Sequence, residues 1–352
     1  MLVVSFTACK KDDIAPPIDR TTVPRTIAQF IQNNYNFSLL KAAMDKTGLT
    51  DSLNAPNQGT FFALDNQAFN SAGISNIQDI DKMNSDSLKE VLKSYMIPQR
   101  YFISELPVQM GNEFLSKSGK KVYVSLSTAM PWNGVEERSV TVNGVVINPT
   151  SGIGRNIPLS NGIVHVLRRP MKMLNGTVQD FITKDTSLTI FAAAMKHFKF
   201  WDGLAKRSPV TVFAPKNDAF EKRGITLDSI NRMDVNAFDP DLFGIYNFNL
   251  TAKRIFSSDG WLIHTTVYGD QGVKIKSNYS FAPNYEYNFN TKSESWRIYM
   301  YKFGGVYWEG NDVGASNTEY DGTLVKKVDY LTDNGVIHII NDLLFYPQYF
   351  KK

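Results

Sequence analysis

The chain repeats itself. Displacing the sequence by 151 residues lays one half on the other without a gap over a long stretch, so the two halves must share a fold. Thr26-Ile27-Ala28-Gln29-Phe30-Ile31 falls on Thr177-Val178-Gln179-Asp180-Phe181-Ile182, and SLLKAAMDKTGLTDSL (38–53) falls on TIFAAAMKHFKFWDGL (189–204). TFFALDNQAF (60–69) falls on TVFAPKNDAF (211–220) with six of ten positions identical, and Tyr95 meets Tyr246. The register then breaks. NGIVHVL (161–167) and NGVIHII (334–340) are 173 residues apart, so the second copy carries 22 extra residues before its close.

Each copy has the same local grammar. Thr26 and Thr177 precede apolar residues at helical spacing, and Gln29 completes a capping-box spacing behind Thr26. The β-rich runs at 60–63 and 211–214 are followed by Asn66 and Asn217, residues suited to cap a short helix. KKVYVSLS and SVTVNGVVI alternate with period two. Helices first and strands later is the segregated order of an α+β fold. Asn161-Gly162 and Asn334-Gly335 carry a strong hairpin signal and are expected to turn the chain into the closing strands.

At 352 residues there is material for two ordinary domains, expected at 26–175 and 176–352 behind an N-terminal segment, 1–25. Lys, Arg, Asp and Glu are interspersed around a net charge of +4, which offers no concentrated basic face for nucleic acid. No apolar run approaches the roughly 20 residues that span a bilayer.

The threonine-led TVFAP.N.AF run, the tyrosine after the middle helices and the closing NG(V/I)(I/V)H(V/I)(I/L) strand resemble the signature segments of the fasciclin (FAS1) domain, over nearly everything from Thr26 to Pro347. The resemblance implies two tandem FAS1 domains, each a wedge of two packed β-sheets with helices clustered on one side. It also implies adhesion or extracellular ligand binding without enzymatic activity. In animal FAS1 adhesion proteins a Tyr-His pair is tied to integrin binding. Here Met96 follows Tyr95 and Asn247 follows Tyr246, so that recognition does not carry over.

MLVVSFTA (1–8) is short, apolar and ends on small residues before Cys9, the only cysteine, which therefore has no disulfide partner within the chain. FTAC resembles a bacterial lipobox, and Cys9-Lys10-Lys11-Asp12-Asp13 resembles the export signal of surface lipoproteins in Bacteroidetes. That resemblance implies a lipidated Cys9, outer-membrane lipid as its partner and display at the cell surface. The prolines of IAPPIDRTTV (14–23) suit a tether.

His165 and His338 sit in the closing strands on the same face as apolar neighbours. They are expected as buried structural residues, because neither comes with the H-x-H or H-x-x-x-H spacing of a metal site. No catalytic residue, cofactor or metal is expected. Ser38-Leu39-Leu40-Lys41 and Lys46-Thr47-Gly48 fall on one helix and its end, whereas the penicillin-binding arrangement draws its K-T-G from a distant strand.

The expanded part of the second copy is rich in aromatic residues. Trp261, Tyr285, Tyr287, Trp296, Tyr299, Tyr301, Tyr307 and Trp308 lie among Asn, Gly and Ser, a composition that suits sugar stacking, protein docking or cross-strand packing. Ordinary sheet packing is expected of any single one, and the cluster is the candidate ligand or partner surface. Because the first copy closes without the 22 extra residues, the middle of this segment, 284–295, is expected to be removable. A second functional reading is an accessory subunit of a TonB-dependent SusC/SusD-like uptake complex that binds glycan or docks to the transporter. A hydrolase is a distant alternative.

Overall fold

The computed structural model describes residues 25–128, 138–147, 154–238, 254–259, 273–276, 279–288, 293–304, 307–311, 329–343 and 352. Thr26 is extended; its hydroxyl accepts the N–H of Gln29 at 3.2 Å while Gln29 Oε1 accepts the N–H of Thr26 at 3.0 Å. This reciprocal cap starts α1 (Ile27–Gln32). α2 (Ser38–Thr47) ends at Gly48, whose φ of 68° lets α3 (Leu49–Asn54) follow in a new direction. Then come β1 (Gly59–Leu64), α4 (Asn66–Ser71), α5 (Ile77–Asp81), α6 (Ser85–Ser94) and β2 (Met96–Ile97). An antiparallel meander follows: β3 (Asn112–Leu115), β4 (Lys121–Thr128), β5 (Arg138–Val142) and β6 (Val145–Val146). β7 (Ile157–Leu159) and β8 (Gly162–Leu167) close the copy.

The first copy thus has two sheets, β2-β1-β8-β7 and β3-β4-β5-β6. Phe61, Phe69 and Val164 share one hydrophobic core with Val122, Val124, Val140 and Val142 of the meander and with Leu40 and Met44 of α2. β1 lies among helices yet pairs in parallel with β8, so helices and strands are not fully segregated. A parallel pair needs a long crossover and is covered on both faces, and all six residues of β1 and of β8 are buried.

The second copy opens with a reciprocal cap between Thr177 and Asp180 ahead of α7 (Val178–Lys184), then α8 (Thr189–His197) and α9 (Trp201–Lys206). β9 (Val210–Pro215), α10 (Asn217–Glu221) and α11 (Leu227–Arg232) follow. Its meander is β10 (Val273–Lys276), β11 (Tyr279–Asn288), β12 (Ser293–Gly304) and β13 (Tyr307–Asn311), and β14 (Tyr330–Leu331) and β15 (Gly335–Ile340) close it. β15 runs parallel to β9 as β8 runs parallel to β1. A separate core gathers Phe191, Met195, Phe213, Phe220, Ile337 and Ile340. The architecture is α+β. No helix among the described residues is long and apolar enough to cross a membrane.

Three expectations are corrected. Asn66 and Asn217 do cap helices, but distant ones: Asn66 Oδ1 accepts the N–H of Leu39 in α2, and Asn217 Oδ1 accepts that of Ile190 in α8, both at 3.0 Å. α4 is capped instead by Asp65, which accepts the N–H of Ala68.

The chain does turn by hairpins into both closing strands, but the loops are Ser160-Asn161 and Asp333-Asn334, one residue earlier than the Asn-Gly pairs. Leu159 pairs with Gly162 across Ser160-Asn161, and Leu331 pairs with Val336, so neither glycine needs a left-handed backbone and Gly162 and Gly335 each begin a strand. They are there for close approach. A Cβ on Gly335 would lie 2.2 Å from the Val210 carbonyl oxygen, and one on Gly162 would lie 2.6 Å from that of Gly59. An Asn-Gly pair that itself forms the loop is Asn143-Gly144, with φ of 45° and 80° between β5 and β6.

Residues 284–295 are no detachable insertion. β11 and β12 are the central pair of their sheet, in register from Tyr279 opposite Lys302 to Asn288 opposite Ser293, so removing 284–295 cuts the pairing itself. The strands occupy the place in the order that β3–β6 hold in the first copy, and β11, β12 and β13 are longer than β4, β5 and β6.

Candidate functional site

Both histidines are clamped in one way. The Asn156 N–H donates to His165 Nδ1 at 3.2 Å, and His165 Nε2 lies 3.0 Å from the Tyr101 carbonyl oxygen. A nitrogen facing an N–H must accept and one facing a carbonyl must donate, which fixes a neutral imidazole protonated on Nε2. Asn156 Oδ1 in turn accepts the N–H of Ile103 at 2.8 Å, closing a ring of bonds around the strand crossing. In the second copy the Asp329 N–H donates to His338 Nδ1 at 3.2 Å, and His338 Nε2 lies 2.8 Å from the Ile255 carbonyl. Asp329 Oδ1 accepts the N–H of Ser257 at 2.7 Å.

Asn156 and Asp329 have φ of 52° and 62°, a left-handed geometry that Asn and Asp tolerate best among residues with side chains. Each ring stacks on a strand partner, Phe62 for His165 and Phe213 for His338. Burial pushes His165 down to about 4 and also lowers His338. Two engaged nitrogens and near-complete burial leave neither imidazole exposed to a ligand. Among the described residues, no group of three or more His, Cys, Asp or Glu could hold a metal ion.

The asparagines ahead of these strands were missed as site-builders. Asn161 Oδ1 accepts the N–H of Ile27 at 2.9 Å, and its amide donates to the carbonyls of Leu53 and Ala55, both at 2.7 Å. Asn334 binds the Val178 N–H and the Leu204 carbonyl in the same manner. One amide thus ties the opening helix, the third helix and the closing strand. The signal available in sequence was an Asn before a strand that is apolar but for its histidine in both copies. Tyr95 is buried, with its hydroxyl accepting the Met171 N–H at 2.8 Å, and burial raises its pKa. Tyr246 lies outside the described residues.

The copies meet along a built junction. Met171–Gly176 runs beside the start of the closing hairpin, with Leu174 donating to the Leu331 carbonyl, Leu331 to Lys172 and Asp333 to Gly176. Tyr123 of β4 packs with Phe256, Leu331 and Val336, and the Arg254 guanidinium lies 4.6 Å from the center of its ring. Ser125 of β4 lies beside the Asp259 carboxyl.

Of the aromatic candidates, Tyr285 and Tyr287 lie on β11, Trp296, Tyr299 and Tyr301 on β12, and Tyr307 and Trp308 on β13. Tyr285 is directly opposite Trp296, while Trp308 is opposite Phe303. The sheet brings seven of the eight candidates onto three adjacent strands. Trp261 and Cys9 lie outside the described residues.

Comparison with known proteins supports a fasciclin domain in this chain: the family model described as Fasciclin domain matches residues 35–173. Periostin of Homo sapiens is 28% identical over 302 residues, which cover 85% of this chain and 30% of periostin. A fasciclin-like arabinogalactan protein of Arthroderma benhamiae is 22% identical over 301 residues, covering 84% of this chain and 60% of that protein. The chain therefore spans less than two thirds of the length of these curated relatives. A solved FAS1 domain pair from the insect cell adhesion molecule fasciclin I aligns with 88% of this chain and 96% of its own, at 16% identity and a TM-score of 0.36.

Proposed function

We propose that the chain is a non-enzymatic surface lipoprotein of the Bacteroidetes type, with two tandem fasciclin domains at 26–175 and 176–352, that works by adhesion or extracellular ligand binding. The observation that carries this reading is the fasciclin match at 35–173 together with the recurrence of the histidine and asparagine clamps in the second copy. Residues 1–25 supply the signal, the lipidated Cys9 and the tether to the outer membrane. The aromatic strands β11–β13 are the recognition surface, because large aromatic side chains combine apolar area with few rotatable bonds.

A second reading has the same surface capture glycan, or dock to a TonB-dependent transporter, as part of a SusC/SusD-like complex. The density of tyrosine and tryptophan on three neighboring strands favors it. Pull-down of the full-length lipoprotein from solubilized outer membrane separates the two. Stoichiometric recovery of a transporter supports the second reading, and binding to extracellular glycans or proteins without a transporter supports the first. Turnover of a bound polymer contradicts both.

A further inference from the structure

The junction between the copies holds a carboxyl group in an unusual place. Asp259 is fully buried beside Ser125 of the first copy, in the segment whose Phe256 packs on Tyr123 of β4. One of its oxygens, Oδ2, accepts the Phe256 N–H at 2.9 Å, while Oδ1 has no partner. Among the described residues it makes no salt bridge. Four other buried polar atoms without partners, Thr141 Oγ1, Asn143 Nδ2, Arg254 Nε and Ser258 Oγ, come from the same two segments, 141–143 of the first copy and 254–259 of the second.

Among the described residues, the charged neighbors do not supply a counter-ion. Asp329, against which the Asn143-Gly144 turn packs, repels a charge on Asp259. Arg254 is directed to the Tyr123 ring and to the Asp333 carbonyl. Lys172 lies over the Tyr330 ring and acts on Asp329 and His338. His338 is neutral, with both ring nitrogens bonded, and Lys121 is paired with Glu113 at the far end of β4.

We propose that this junction is a proton-operated latch between the two copies, closed when Asp259 is protonated and loosened when it ionizes. Burial is the main cause that pushes the Asp259 carboxyl up to about 7, with Asp329 adding to it against the Phe256 hydrogen bond and the nearby Ser125 hydroxyl. A carboxyl freed by opening returns toward its ordinary 3.8. Closure therefore takes up a proton between those values. The latch is strongest below pH 4, weakens as pH rises toward 7 and is level above that, where the closed state must bury an anion.

Hydrogen exchange of the full chain tests this, because it reads openings too rare to see otherwise. The amides of Leu174, Leu331 and Asp333 span the junction, and Val164 in β8 reports the first core. Protection of the three junction amides, corrected for intrinsic rates, should fall about fiftyfold from pH 5 to pH 7 while that of Val164, which rises with the deprotonation of its neighbor His165, does not fall. Asp259→Asn, which keeps the shape without the ionization, should abolish the fall. Constant junction protection over that range, or the same fall in the variant, overturns the proposal. Should Asp259→Asn not fold, Asp259→Ser, which keeps an oxygen near the Phe256 N–H without the ionization, must abolish the fall in its place; the same fall in that variant also overturns the proposal.

Discussion

The side-chain oxygen of Asn161 accepts the backbone N–H of Ile27 at 2.9 Å across 134 residues of sequence. That bond satisfies one of the orphan donors at the start of α1 from the last strand of the same copy, while the amide of Asn161 holds the carbonyls that end α3. Asn161→Ala leaves three backbone groups without their partner and should cost about 2–4 kcal/mol. Asn334→Ala should do the same to the second copy. Urea denaturation of each variant checks this, and a loss under about 0.5 kcal/mol would show that solvent replaces the clamp.

Gly335 and Val210 are neighbors across the parallel β15/β9 pair, too close for a side chain. Gly335→Ala should destabilize the second copy by about 1–3 kcal/mol or more, because the obstacle is backbone and cannot rotate away. Gly162→Ala should have a similar effect on the first copy. Thermal melts of the two variants measure it, and wild-type stability in both would contradict the close-approach account.

His165 gives the first copy an acid-sensitive core. Its folded value near 4 lies below the 6.5 of an exposed histidine, so between those values the unfolded chain binds the proton first. The contribution is intact above about pH 6.5 and is lost as pH falls toward 4, amounting to about 3 kcal/mol. His165→Gln should lower stability at pH 7.5 and flatten that part of the pH profile. An unchanged slope would mean that other groups account for it.

Much of this was legible in the sequence, for physical reasons. Helix caps such as Thr26 with Gln29 are local, and a histidine inside an apolar run announces its burial. The Asn161 and Asn66 contacts were not legible, because their partners lie 134 and 27 residues away and the local signals for a turn and a cap were both present. Asp259 was equally opaque, since the residues it is buried beside include Ser125 of the other copy. The segment 284–295 was misjudged because counting residues between matched motifs measures length, while the sheet keeps its four strands and lengthens three of them.

Cys9 lies outside the described residues, and its lipidation is a proposal. A thioether-linked lipid gains about 0.8 kcal/mol per buried CH₂, so several acyl chains should make release depend on detergent. Cys9→Ala should partition into the aqueous phase. Continued detergent dependence of that variant would contradict the anchor.

The most direct test of a binding role for the second copy is binding of the full chain, wild type against Trp296→Ala with Trp308→Ala, to a glycan array and to outer-membrane vesicles from cells lacking the protein. Melting curves in parallel establish that both proteins are folded. The account predicts binding by the wild type and a loss of at least about tenfold in the folded double variant, since aromatic anchors carry much of an interface's energy. Equal binding by the two proteins, or hydrolysis of the bound glycan, would contradict it.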